Sequence, residues 1–230
     1  MQGKSGRGFG IKQGLILSSV VILAMFALSL YAWMQVPEGS RLPVHWGASG
    51  RPDRYGSKFE ALMLIPIMAV LLTILFAIIP AIEPRQKHMQ QSRRSYLVIW
   101  ALVLGILAVV HGLLVLTALG SRFNISIVIF IMLGLMFLIM GYFLERMESN
   151  FFMGIRTPWT LSSEISWKKT HHLGSRLFMV LGAVILVLAW LPGPWVVWVI
   201  VGGALGEALV LSVYSYWVWR GDPNRNSGQN

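Results

Sequence analysis

The chain has 230 residues, 56% of them hydrophobic and only 12% charged, with a mean hydropathy of +0.66 and a formal net charge of +10. Soluble domains carry about 25% charged residues, so this composition excludes an ordinary water-soluble globule. The absence of cysteine excludes disulfides, thiolate metal sites and thiol nucleophiles, and the positive charge reads as basic loops facing anionic lipid rather than as a nucleic-acid surface.

Lys4, Arg7 and Lys12 precede a first apolar run over 14–34. A secretory signal core is usually about 7–15 residues; this run is longer and leaves through Tyr31, Trp33 and Pro37, so it reads as a retained helix. Further runs follow at 59–82, 96–119, 125–144, 177–190 and 195–218. Crossing ~30 Å of hydrocarbon takes about 20 helical residues. The fifth run is short for that and requires a helix that begins in the polar segment before it. The reading is an all-α, polytopic, multi-pass protein of the cell membrane with six transmembrane helices. Lys and Arg concentrate in the segments before span one, between spans two and three (Arg85, Lys87, Arg93, Arg94), between spans four and five, and after span six. That bias places both termini in the cytoplasm. Trp33, Trp46, Trp100, Trp190, Trp195 and Trp217 fall near span ends, where interfacial anchors belong. The expected division is an N-terminal module over 1–94 with an extracytoplasmic loop at 35–58, a four-span module over 95–220, and a polar tail over 221–230.

Gly47, Gly50, Pro52 and Gly56 punctuate the outer loop as successive turns. Ser57 is positioned to cap the next helix, with Glu60 in its first turn. Two roles remain open for His45, Trp46, Gly50, Asp53, Tyr55, Gly56 and Lys58. In one they form a folded cap, with Asp53 paired to Lys58 or Arg54. In the other, Trp46 and Tyr55 anchor an external peptide, since aromatic residues and arginine dominate most binding hot spots. His45 and Asp53 lack a third nearby ligand, so no metal is assigned.

The inner segment 145–176 is dense in polar, aromatic and basic residues between two apolar runs. Polar groups cannot stay unsatisfied in hydrocarbon, so specific contacts must hold it at the membrane surface. Thr157-Pro158 stops any preceding helix, and Thr160 or Ser162 is placed to cap a new one that continues into span five, with Glu164 and Lys168 in the favourable i,i+4 order. Arg156, beside Gly154 and Trp159, either clamps spans four and five through Glu145 or Glu148, or binds an anionic group. Asn150, Lys169, Thr170 and His171 complete the candidate set. His171 and His172 diverge by about 100° on a helix and cannot share one partner.

His111 lies within the third span and Glu207 within the sixth, and ionisable residues at such depth are functional candidates because their burial is costly. Glu207 follows Gly202, Gly203 and Gly206, a small-residue face that admits a neighbouring helix. No H-E-x-x-H, P-loop or G-x-S-x-G motif is present. The chain reads as a non-enzyme with no cofactor.

Two stretches carry a family resemblance. G-I-R-T-P-W-T-L-S-S-E at 154–164, followed by K-K-T-H-H-L-G at 168–174, resembles the signature of the SdpI family of bacterial multispanning membrane proteins. P-V-H-W at 43–46 with Gly50, Asp53 and G-S-K at 56–58 resembles the loop of the small membrane domain that commonly precedes it. The chain departs from the family pattern at His172, usually Arg or Lys, and at Ser175, usually Gly. The resemblance implies an immunity or toxin-resistance protein whose partners are the lipid bilayer, a secreted antimicrobial peptide outside and a small soluble repressor inside. It implies no direct contact with nucleic acid. A small proton-coupled transporter using Glu207 and His111, and a structural or lipid-interacting protein, are the alternatives.

Overall fold

The computed structural model describes residues 9–47, 50–121, 123–191 and 193–225. Lys4, Arg7, Arg122 and the tail beyond residue 225 lie outside the described residues. Among the described residues, six helices are long and apolar enough to cross a membrane: α1 (Phe9–Gln35), α2 (Lys58–Ile82), α4 (Arg93–Ala118), α5 (Ile125–Leu144), α7 (Glu164–Leu188) and α8 (Trp195–Arg220). Between them lie strands β1 (Leu42–Trp46) and β2 (Pro52–Gly56) and the short helices α3 (Gln86–Gln91) and α6 (Pro158–Ser162). Hydrocarbon offers backbone groups no water, so a spanning segment satisfies them within its own helix. Leu23, Val187 and Trp198 are 69%, 68% and 72% exposed. Such surfaces suit lipid rather than water.

The fifth span gains its length from the polar segment, as the short apolar run requires. Ser163 caps α7 by accepting from the Ser166 N–H at 3.0 Å, and Glu164 occupies the first turn. Its 25 residues extend about 37 Å at the helical rise. The helix before it differs from expectation. The span-five cap expected at Thr160 or Ser162 falls on Ser163, and Thr157 caps a separate short helix, α6, with Pro158 inside the first turn; proline's fixed φ suits that position, so the residue expected to stop a helix begins one.

The outer loop also carries more than turns. β1 and β2 pair antiparallel, with Leu42 opposite Gly56 and Trp46 opposite Pro52 and irregular register around His45. Gly50, at φ +72°, supplies the left-handed residue of the connection.

The chain divides into two compact units, one spanning Met1–Ile79 and Leu97–Ser126, the other Pro80–Tyr96 and Ile127–Asn230. In the first, Ala32 of α1, Val36 just beyond it, Leu42 of β1, Ala61 and Leu62 of α2 and Val115 of α4 form a buried cluster. In the second, Phe130 of α5, Leu181 and Ile185 of α7 and Val196 of α8 do the same. α5 and α7 meet along a seam of small residues. A Cβ placed on Gly182 would lie 2.8 Å from the Gly134 carbonyl oxygen and 2.9 Å from the Leu138 nitrogen, and one on Gly141 would lie 2.8 Å from the Ser175 carbonyl oxygen. Backbone touches backbone there, as small residues allow between membrane helices.

Candidate functional site

In the outer hairpin the His45 Nδ1–H donates to Asp53 Oδ1 at 2.6 Å, with both side chains at least half exposed. Asp53 therefore pairs across the hairpin with His45, and not with Lys58 or Arg54. Arg54 instead bonds Glu60 at 2.5 Å, and Lys58 donates to Glu38 at 2.7 Å with its ammonium 4.8 Å from the Trp33 ring centroid. The Lys58 side chain is only 7% exposed: it joins the end of α1 to the start of α2. Ser57 accepts from the Glu60 N–H at 3.1 Å, the anticipated cap. The Gly47 N–H donates to Arg51 O at 3.0 Å and the Gly50 N–H to Gly47 O at 2.9 Å, closing the tip. Tyr55 stands 48% exposed, and its carbonyl accepts from Arg41 at 3.0 Å.

The inner segment is held by a network of hydrogen bonds centred on Asn150, Thr157, Thr160, Ser166, Trp167 and His171. Asn150, fully buried, accepts from the N–H groups of Phe152 at 2.9 Å and Met153 at 2.7 Å while donating to Glu148 O at 2.9 Å. This is the local side-chain turn that Asn favours. Gly154 then takes φ +92°, where the His171 ring leaves no room for a side chain. His171 Nε2 accepts from the Ile155 N–H at 3.0 Å, and its Nδ1–H donates to Trp167 O at 2.8 Å; the ring stacks on Trp167 with centroids 4.0 Å apart. Trp167 itself donates to Met147 O at 2.7 Å. Thr157 and Thr160 form a reciprocal capping box, and Thr157 Oγ1 lies 2.9 Å from Ser215 Oγ on α8, while Ser166 donates to Ser215 O at 2.8 Å. Trp159 meets Tyr216 edge-on at 5.3 Å.

Arg156 corrects the clamp expectation. Its Nη1 donates to the Phe151 carbonyl at 2.6 Å, five residues back, and it pairs with neither Glu145 nor Glu148. Glu145 accepts instead from His172 Nδ1 at 2.7 Å. Adjacent histidines thus take separate roles, His171 buried and His172 exposed. Glu164 and Lys168 form no ion pair. Lys168, Lys169, Arg176 and the His172–Glu145 pair line an open cleft of about 610 Å³ with Glu148. Thr170 Oγ1 is buried without a partner.

Residues outside the motif also fasten it, among them Glu83 and Asp222, to which sequence reading assigned no role, and Arg85, which it used only for orientation. Glu83 at the end of α2, 1% exposed, accepts from the N–H groups of Arg85 at 2.9 Å and Phe151 at 3.0 Å. The Arg85 guanidinium bonds Ser149 Oγ and, at 2.8 Å, Leu161 O, and lies 4.9 Å from the Phe151 ring centroid. Asp222, beyond α8, accepts from Ser163 Oγ, the α7 cap, and from the Asn224 N–H at 2.8 Å. The segments after spans two, four and six therefore meet at one end of this unit, as two crossings between each require. The bond from Ser163, helped by the Asn224 N–H and opposed by burial, holds the Asp222 carboxyl below its usual range. A depressed folded pKa stabilises above the unfolded carboxylate range, and that stability is lost as pH falls through the folded pKa. Asp222→Asn should therefore lower the melting temperature at neutral pH. In thermal scans of the two detergent-solubilised proteins, the gap should close in acid below the ordinary carboxylate range.

Within the spans, His111 is fully buried and its Nε2 lies 3.1 Å from both Ser29 Oγ and Met25 O; Ser29 in turn donates to Leu62 O at 2.5 Å. This polar knot ties α1, α2 and α4 in the first unit, and it leaves His111 Nδ1 without a partner. Glu207 lies in the second unit, on α8, with a buried and unpartnered Oε2.

Six apolar spans, one capped by a glycine-punctuated hairpin and others gathered by a hydrogen-bonded polar segment, define a multi-pass helical protein of the cell membrane. Residues 146–215 match the SdpI/YfhL protein family, and residues 20–70 match DUF1648, a domain of unknown function. Along 205 residues the chain is 25% identical to the immunity protein SdpI of Bacillus subtilis (strain 168), covering 87% of this chain and 93% of that one. It is 29% identical over 98 residues to an uncharacterized protein of Archaeoglobus fulgidus, 36% of this chain and 52% of that one. No solved structure matches.

Proposed function

We propose that the protein is an immunity protein of the cell membrane that confers resistance to a secreted antimicrobial peptide by binding it at the outer hairpin. The observation that carries this reading is the similarity to the Bacillus immunity protein over nearly the whole of both chains. The hairpin adds a physical reason. It presents Tyr55, half-buried Trp46 and the His45–Asp53 pair on a short sheet anchored through Leu42 and Lys58, which is the aromatic and charged chemistry of a peptide hot spot on a rigid support. In this reading both termini are cytoplasmic, the modules over 1–94 and 95–220 are the functional divisions, and the basic cleft of Lys168, Lys169 and Arg176 is the docking face for a soluble repressor.

Expression in a peptide-sensitive bacterium, scored by survival against a panel of secreted peptides, tests it. The parent should protect. Trp46→Ala combined with Tyr55→Ala should cut protection roughly tenfold or more, the size of one hot-spot loss, with membrane yield unchanged. Lys168→Ala with Lys169→Ala should preserve survival and abolish membrane recruitment of a fluorescently tagged repressor. Protection by the hairpin variant equal to the parent's would end the hairpin assignment.

A further inference from the structure

The second unit contains a cavity of about 280 Å³ that the immunity reading does not use. Phe137 of α5, Phe178 of α7 and Ala204 and Ala208 of α8 make its walls mostly apolar, while Arg156 and Glu207 both line it. The two charged side chains form no ion pair with each other. Among the described residues, Arg156 spends one guanidinium N–H on Phe151 O and its others meet no protein partner, and Glu207 Oε2 is buried with none. A buried carboxyl oxygen with no donor is costly, and it gains most from a ligand that brings one. A cavity of this size holds about nine water-sized groups at ~30 Å³ each, the bulk of a lipid head group. The helix face beside it is apolar and open, with Leu205 and Leu209 65% and 66% exposed, so acyl chains have a surface to follow.

We infer that this cavity is a binding site for a phospholipid with a primary ammonium head group: its phosphate sits on Arg156, its ammonium donates to Glu207, and its chains run along α8. Two opposite charges held apart in an apolar pocket complement a zwitterion better than they complement an anion or a cation. A choline head matches the phosphate half but carries no N–H for Glu207, and a glycerol head adds no positive charge.

Native mass spectrometry of the full-length protein, released from nanodiscs containing equal phosphatidylethanolamine, phosphatidylcholine and phosphatidylglycerol, reads the site directly. The parent should retain phosphatidylethanolamine roughly tenfold over phosphatidylcholine, the gain from one charge-assisted hydrogen bond. Glu207→Leu should erase that preference while keeping phospholipid bound, and Ala208→Phe, which fills the cavity, should lose both lipids. Equal retention of the two zwitterionic lipids by the parent overturns the proposal, as does a preference for phosphatidylglycerol. A phosphatidylethanolamine preference that survives Glu207→Leu overturns it too. The parent comparison needs no variant to fold, and tryptophan-fluorescence melting identifies any variant that does not.

Discussion

Glu83→Ala is expected to loosen the entire 145–163 segment although residue 83 lies far from it in sequence. The Glu83 carboxylate accepts two N–H groups, those of Arg85 and Phe151, at a site with 1% exposure. Removing it strands both donors, at roughly 1–3 kcal/mol each. For a chain of this length each kcal/mol shifts the melting temperature by roughly 2–4 °C, so a fall of at least about 4 °C should appear in thermal unfolding of the detergent-solubilised protein. Glu83→Gln keeps an acceptor oxygen and should lose less. Protease cutting at 150–156 should rise in the alanine variant and stay low in the glutamine one. An alanine variant as stable as the parent would show that the buried carboxylate is not the fastener.

Gly182→Leu should have the larger effect on folded yield. The Cβ it introduces would press on the Gly134 carbonyl oxygen and the Leu138 nitrogen, which are backbone atoms of α5 and cannot swing aside as a side chain can. Overpacking generally costs about 1–3 kcal/mol, and here relief requires two helices to separate along their length. The control is on the same membrane protein: Gly202 and Gly206 of α8 have open space where a Cβ would stand, and leucine at either position should leave folded yield close to the parent's. Size-exclusion traces of fluorescently tagged variants distinguish the outcomes. A monodisperse Gly182→Leu peak at parental yield would contradict the close approach of α5 and α7.

The spans were legible because hydropathy is a one-dimensional property: each helix satisfies its own backbone, so the run of apolar residues is the signal. The polar start of the fifth span was legible for a related reason, since a length deficit had to be met from the neighbouring residues. The hairpin was not. Pro43 and the glycines at 47, 50 and 56 look like turn punctuation, and five-residue strands give little room for alternation to show. Glu83 and Asp222 were invisible for a different reason. Their partners lie 68 and 59 residues away, and no local pattern reports a contact at that range. The clamp expected of Arg156 does not form because the nearest strong acceptor is not a carboxylate but a carbonyl five residues back in its own loop. The opposite fates of His171 and His172 followed from helical geometry alone; which of them would be buried did not.

Ser215 sits near the end of α8, yet it partners both Thr157 and Ser166. The polar surface built on those threonine and serine contacts therefore cannot mature while the ribosome is still inserting the last span. Until then, Thr157 and Ser166 lack their α8 partner. A premature stop ahead of residue 195 would leave a chain with the first five spans but without Ser215, and so without either of these contacts.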